Sequence, residues 1–224
     1  DFCLSRGLGD VYKRQLLRDA WQEINVSNVE QAAYIAQSWY NIPYPTFKRL
    51  AFFAASKNGK ISSQQWVDWL LQDNAWWLWH IGVQREKFRL LVERGMSLTG
   101  DIQEKLENAI LAGPPRKMYR EDLEKSKWQK IKEDEVWLHL AKLQSSGLTL
   151  GAAAIQQLNA LSNNYPEWKL ANNERDEFSI WTTGTGDPDF EENRYIEEAP
   201  QTQDELVCWL RQPKIDNRLF YEDN

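Results

Sequence analysis

Apolar residues recur at three- and four-residue spacing along most of this chain, which is the period of a helix with one buried face. Phe47, Leu50, Phe53 and Ala54 lie on one such face, and Trp66, Trp69 and Leu70 on another. Ile102, Leu106 and Ile110 repeat the pattern, as do Ile155, Leu158 and Leu161. Local punctuation agrees with it. Ser27-x-x-Glu30, Ser62-x-x-Gln65 and Thr202-x-x-Glu205 have the form of capping boxes, in which a hydroxyl and a later side chain satisfy free amides at a helix start. Gly95 and Gly113 stand where C-terminal glycines belong, and Pro114-Pro115 stops continuation after the second. The pattern predicts helices at about 17–24, 28–40, 46–56, 63–73, 84–94, 100–112, 121–145, 149–162 and 203–211. Phe178-Ser179-Ile180-Trp181 alternates as a strand would, but one short segment has nothing to pair with. The expected class is all-α.

A repeat underlies the helices. Leu50 and Leu70, Leu90 and Ile110, and Leu138 and Leu158 are each 20 residues apart on consecutive elements, and the units begin 40 and 48 residues apart. Those periods match HEAT and armadillo-like helical hairpins, which bury their apolar faces by stacking. The alternative is three unrelated hairpins in an irregular bundle. Residues 16–162 are therefore expected to form the hairpin region. Residues 163–224 read as a loop-rich segment with a C-terminal helix, its aromatics Trp168, Phe178, Trp181 and Phe190 anchoring it to the helical surface.

The first fifteen residues read differently. Ser5-Arg6-Gly7-Leu8-Gly9-Asp10-Val11-Tyr12-Lys13-Arg14-Gln15 matches a translated sequencing adapter, so residues 1–15 are expected to be an artefact. The alternative is a basic leader, but no apolar stretch of signal-peptide length is present. Removing them takes away Arg6, Lys13 and Arg14 against Asp1 and Asp10, which makes the balance more acidic by one charge. On that reading the chain is a piece of something larger.

Composition narrows the chemistry. With 42% hydrophobic and 27% charged residues, the chain is too apolar for disorder, and its longest uncharged run, 143–166, is too polar to span a bilayer. Cys3 and Cys208 are the only cysteines, which excludes a disulfide framework and fits a cytoplasmic location. His80 and His139 are far apart with no partner at ligand spacing, so no zinc site is expected. No Gly-x-Ser-x-Gly elbow occurs, and Cys208 reads as a buried apolar residue. Thr183-Gly184-Thr185-Gly186 lacks the lysine of a phosphate loop, and Asp187, Asp189 and Glu191 read as a solvated acidic loop rather than a calcium site. No cofactor and no catalytic residue are expected. A net charge of −6 argues against nucleic acid. Arg85, Lys87, Arg89 and Arg94 are expected on a solvated face with Glu86 and Glu93.

Twelve tryptophans make contact chemistry the more promising class. Trp66 and Trp69 are expected in the core. Trp76, Trp77 and Trp79 cannot all face inward on one helix, so at least one is expected to be partly exposed. These three, with Arg116 and Tyr119 of the basic aromatic stretch 115–120, are the candidate partner-binding residues.

Four stretches carry a resemblance: Phe47-Lys48-Arg49-Leu50-Ala51-Phe52-Phe53-Ala54-Ala55, Trp76-Trp77-Leu78-Trp79, Ala109-Ile110-Leu111-Ala112-Gly113-Pro114-Pro115-Arg116 and Asn173-Glu174-Arg175-Asp176-Glu177-Phe178. Over residues 16–213 the chain resembles the helical C-terminal region, a domain of unknown function, of bacterial anti-phage defence-associated sirtuins. In that family an N-terminal sirtuin domain cleaves NAD, and the helical remainder senses a phage protein. The resemblance implies a non-catalytic sensor region whose partners are a phage protein and the parent's own enzyme domain. No Rossmann turn or catalytic histidine motif is found here, so no catalytic residue carries over. The alternative is a helical-repeat interaction scaffold from another large defence or NTPase-type protein. A free-standing helical hydrolase using paired carboxylates is a third class, for which adjacent acids such as Glu121 and Asp122 give no real signal.

Overall fold

A computed structural model describes residues 2–171. The predicted helix 203–211, the loop aromatics Phe178, Trp181 and Phe190, the acidic run at Asp187, the Thr202 capping box and Cys208 lie outside the described residues. Within them the protein is all-helical: eight α-helices, three short 3-10 turns and no strand.

Helix α1 (Phe2–Ser27) is longer than the sequence pattern suggests. It contains no proline, and Gly7 and Gly9 weaken a helix without forbidding it. Its end and the start of α2 (Val29–Tyr40) differ from the expected capping box by one residue. Ser27 remains in α1, where its hydroxyl donates to the Glu23 and Ile24 carbonyls, and Asn28 caps α2 by accepting from the Gln31 N–H at 3.0 Å. Helix α3 (Pro45–Lys57) opens on a proline, whose missing N–H costs nothing at that position. Ser62 caps α4 (Ser63–Trp79) through the Gln65 N–H, as the sequence predicts. A 3-10 turn, Ile81–Val83, leads into α5 (Gln84–Arg94). Then come α6 (Gly100–Ala112), α7 (Lys125–Ser145) and α8 (Ala152–Asn164). Helix α7 starts four residues later than expected, because Arg116 holds the preceding stretch as a turn by donating to the carbonyls of Tyr119, Glu121 and Leu123. Gly113 ends α6 at φ 77°, the left-handed conformation that favours glycine. Gly95 takes an ordinary right-handed conformation instead, and a β-carbon there would meet the Ser146 hydroxyl at 2.5 Å.

Helices two apart along the chain are neighbours. Helix α3 packs on α5 and α5 on α7, while α4 packs on α6 and α6 on α8. Helices α1 and α2 cover the α3 side, and α8 also packs on α7. The side chains between them form the core, including Trp21, Phe52, Phe53, Trp66, Phe88 and Leu140. Leu50, Leu70, Leu90, Ile110, Leu138 and Leu158 are all buried in it. Burying one such side chain contributes roughly 1.5–3 kcal/mol. Trp21 also donates its indole N–H to the Ala32 carbonyl at 2.9 Å, which fixes α1 on α2.

Charged side chains run through this core. Arg49 of α3 and Glu86 of α5 form a buried two-bond ion pair at 2.6 and 2.7 Å. Lys48 donates to the Tyr40 carbonyl at the end of α2, and Arg94 donates to the carbonyls of Ala55 in the last turn of α3 and of Asn58 and Ile61 beyond it. Glu107 of α6 accepts the Gly151 N–H at the start of α8. Lys48, Arg94 and Glu107 each place a charge where a helix end carries the opposite partial charge. The expected solvated face on α5 is thereby corrected. Lys87 and Glu86 are buried, because α5 lies between α3 and α7 and turns charge toward both. No helix among the described residues is long and apolar enough to cross a membrane.

Candidate functional site

The tryptophan segment follows a break in α4. Gln72 is extended (ψ 153°), and Asp73, Asn74 and Ala75 follow at φ 55°, 58° and 60° before helical geometry resumes. Left-handed conformation costs a residue with a β-carbon roughly 1–2 kcal/mol, least for Asp and Asn, whose short polar side chains bond locally. The sequence pattern ends the helix at about 73; the chain turns there and starts a further helical turn at Trp76. The reversal sends three tryptophans to different surroundings. Trp77 and Trp79 are buried, and Trp76 is half-buried beside His80, their rings 5.8 Å apart.

Beneath this turn lies a polar cluster. The Lys87 side chain, fully buried, donates to the Leu78 carbonyl at 2.7 Å and approaches His139 Nε2 at 2.8 Å. Facing the Lys87 ammonium, which only donates, Nε2 accepts and the His139 proton sits on Nδ1, donating to the Glu135 carbonyl at 2.7 Å; Nε2 also lies 3.0 Å from the Leu78 carbonyl, to which it donates in the other tautomer. Trp79 and Phe88 wall the imidazole at 4.6 and 4.8 Å. Burial, with the Lys87 charge adding to it, holds His139 well below its ordinary value and therefore neutral. Burial likewise lowers Lys87 while Glu135 opposes, and raises Glu135 while Lys87 opposes. Gln84 donates to Glu135 at 3.3 Å. His80 is lowered by burial and then by Lys87, and its Nδ1 accepts the Gly82 N–H at 3.0 Å.

Beside the break, Lys48 lies over the Tyr40 ring at 3.6 Å and the Trp77 ring at 5.0 Å. Burial lowers its pKa and Asp73 opposes. The Tyr40 hydroxyl reaches the Trp69 carbonyl and Gln72 at 2.8 and 2.6 Å, and its ring stacks on Trp69.

The other two candidates lie in the turn before α7. Arg116 is occupied by that turn's carbonyls and lies over Trp128 at 5.4 Å. Tyr119 packs on Trp128 at 4.8 Å; burial raises its hydroxyl, with Glu135 and Asp134 adding to the effect. The fold therefore gathers Trp76, Trp77, Trp79, His80 and His139, turns Tyr119 toward the same acids, and ties Arg116 to its own turn. Lys48, Lys87 and Glu135 carry no sequence signal: a lysine or glutamate in a helix ordinarily reads as solvent-facing, and only the third dimension buries it.

At the same end of the molecule the α2–α3 and α4–α5 turns meet. A β-carbon on Gly82 would lie 3.5 Å from the Pro45 side chain. Tyr44 and Ile81, adjacent to those two residues, are 65% and 51% exposed. Elsewhere, a groove of about 510 Å³ between α6, α7 and α8 is lined by Leu111, Gln129, Lys132, Glu133 and Val136. Glutamines and one charge of each sign give it hydrogen-bonding capacity without a nucleophile beside a base. Among the described residues no group of three His, Cys, Asp or Glu side chains is arranged for a metal ion. Compared with protein families, curated proteins and solved structures, the chain matches none.

Proposed function

We propose that this chain is a non-catalytic helical scaffold that acts by binding protein, and that it is the sensor region of a sirtuin-type, NAD-depleting anti-phage protein. The observation that carries the scaffold reading is the surface at the paired turns. Tyr44 and Ile81 are exposed there, and His80, next to Ile81 in the chain, packs on the half-buried Trp76; exposed large side chains of this kind anchor protein contacts. The polar side chains that an enzyme would present to substrate are occupied between helices: Lys48 and Lys87 on helix-end carbonyls, Arg49 on Glu86. The alternation of neighbours, α3 with α5 with α7 and α4 with α6 with α8, supports HEAT-like stacked hairpins. The sirtuin assignment rests on the resemblance over residues 16–213, and the cytoplasmic location on the cysteine usage.

A longer read of the gene upstream of Leu16 tests the assignment. An in-frame sirtuin domain supports it, an upstream P-loop domain moves the scaffold to an NTPase-type protein, and a start codon near Leu16 with nothing coding before it sinks the sensor reading. With the sirtuin form in hand, Tyr44→Ala with Ile81→Ser is expected to abolish NAD loss on phage challenge while leaving the helical circular dichroism unchanged. NAD loss equal to wild type rules this surface out.

A further inference from the structure

Three features act on the same few residues at the end of α4. Asp73, Asn74 and Ala75 are held in the left-handed region, where a β-carbon crowds the following carbonyl oxygen. Beyond them Trp77 is buried, yet its indole N–H has no hydrogen-bond partner among the described residues, so its place in the core lacks a bond that buried indoles ordinarily make. Opposing both, the buried Lys87 side chain holds the Leu78 carbonyl while bonded to His139 of α7. Strain and the unmet N–H favour departure of the segment. The Lys87 amine, donating to the carbonyl end of the turn, favours its retention.

We propose that residues 73–80 form a releasable strap, sprung at the left-handed turn and latched to α5 and α7 by Lys87, whose release carries Trp77 and Trp79 out of the core. The geometry allows the movement at both ends. Asp73 and Asn74 are exposed, so the turn rearranges without displacing packed side chains. Ile81 and Gly82 are exposed at the other end, and motion stops where Val83 is buried at the start of α5. The strap stands on helix geometry and not on the scaffold reading, so either survives failure of the other.

Hydrogen exchange of the full chain, read peptide by peptide, tests this. Lys87→Met keeps the length of the apolar stem and removes the donor. Amides of residues 76–83 are then expected to exchange roughly tenfold faster, the factor that a lost buried hydrogen bond makes in an opening equilibrium. Exchange in α6 and α8 stays unchanged, and acrylamide quenching of tryptophan emission rises. Ala75→Gly removes strain and acts the opposite way. It is expected to slow exchange of the same amides by roughly fivefold in the native chain and to restore protection to Lys87→Met. Unchanged exchange at 76–83 in Lys87→Met overturns the latch, and so does an equal loss of protection in every helix. If Lys87→Met does not fold, Ala75→Gly decides alone: exchange at 76–83 that is unaltered or faster overturns the strap.

Discussion

Ala75 and Lys87 are each held where their own chemistry is least comfortable, and each makes a measurable difference on its own. At φ 60° Ala75 has no polar side chain to offset the crowding, unlike Asp73 and Asn74. Ala75→Gly is therefore expected to raise global stability by about 1 kcal/mol, seen as a higher urea midpoint at constant slope. Lys87 gives a pH signature. Burial lowers its folded pKa below the unfolded value, so the folded state binds fewer protons than the unfolded chain across that interval. Its contribution is most favourable above the ordinary lysine value and is lost as pH falls through the folded one. Around it stand the Leu78 carbonyl, His139, His80, the Phe88 ring and Glu135, the last in turn acted on by Asp134 and Gln84, and Glu135 titrates with the opposite sign at lower pH. Between about pH 8 and pH 10 wild-type stability is expected to rise relative to Lys87→Met. Parallel stability curves over that range refute a lowered Lys87.

Between elements, the decisive contacts are ones that a linear pattern cannot carry. Helix starts are local: Ser62 caps α4 through the Gln65 amide three residues on, and both residues are visible in sequence. Apolar stripes are local too, which is why spacing alone assigns Leu50, Leu70, Leu90, Ile110, Leu138 and Leu158 to buried faces, where the fold indeed holds them. Burial of a charge depends instead on which helix arrives opposite. Glu86 resembles Glu93 in its sequence setting, yet Glu86 is enclosed with Arg49 while Glu93 makes a surface pair with Lys57. The candidate site is legible in the sequence only as a cluster of tryptophans; its lysines and Glu135 are not. The same reasoning yields an energetic test. Arg49→Met leaves the Glu86 carboxylate buried without its guanidinium and is expected to cost about 3–5 kcal/mol, whereas Arg49→Met with Glu86→Leu recovers most of that loss. A double-mutant cycle by chemical denaturation measures it, and additive single effects would show the two side chains to be uncoupled.

At the scale of the molecule, the question is where the cooperative unit begins. Residues 2–27 are one helix, yet none of the side chains at 13–20 is buried, and Leu16 is 70% exposed. The first described side chain to enter the core is Trp21, which meets Trp39 and Phe53 and donates to the Ala32 carbonyl. From there inward, Asn58 bonds to Asn25 and to the Val29 carbonyl, so α1, α2 and the end of α3 are fastened by groups that all lie after position 20. Cooperative unfolding depends on apolar area buried and buried hydrogen bonds kept, and residues 13–20 supply little of the first. A chain starting at Leu16 is therefore expected to melt within about 2 °C of the longer one, whereas Trp21→Ala is expected to cost about 3–5 kcal/mol and lower the midpoint by well over 5 °C. Calorimetry on the three proteins separates the cases. A large loss on shortening the chain would place residues 1–15 inside the folded unit and remove the ground for reading them as an adapter.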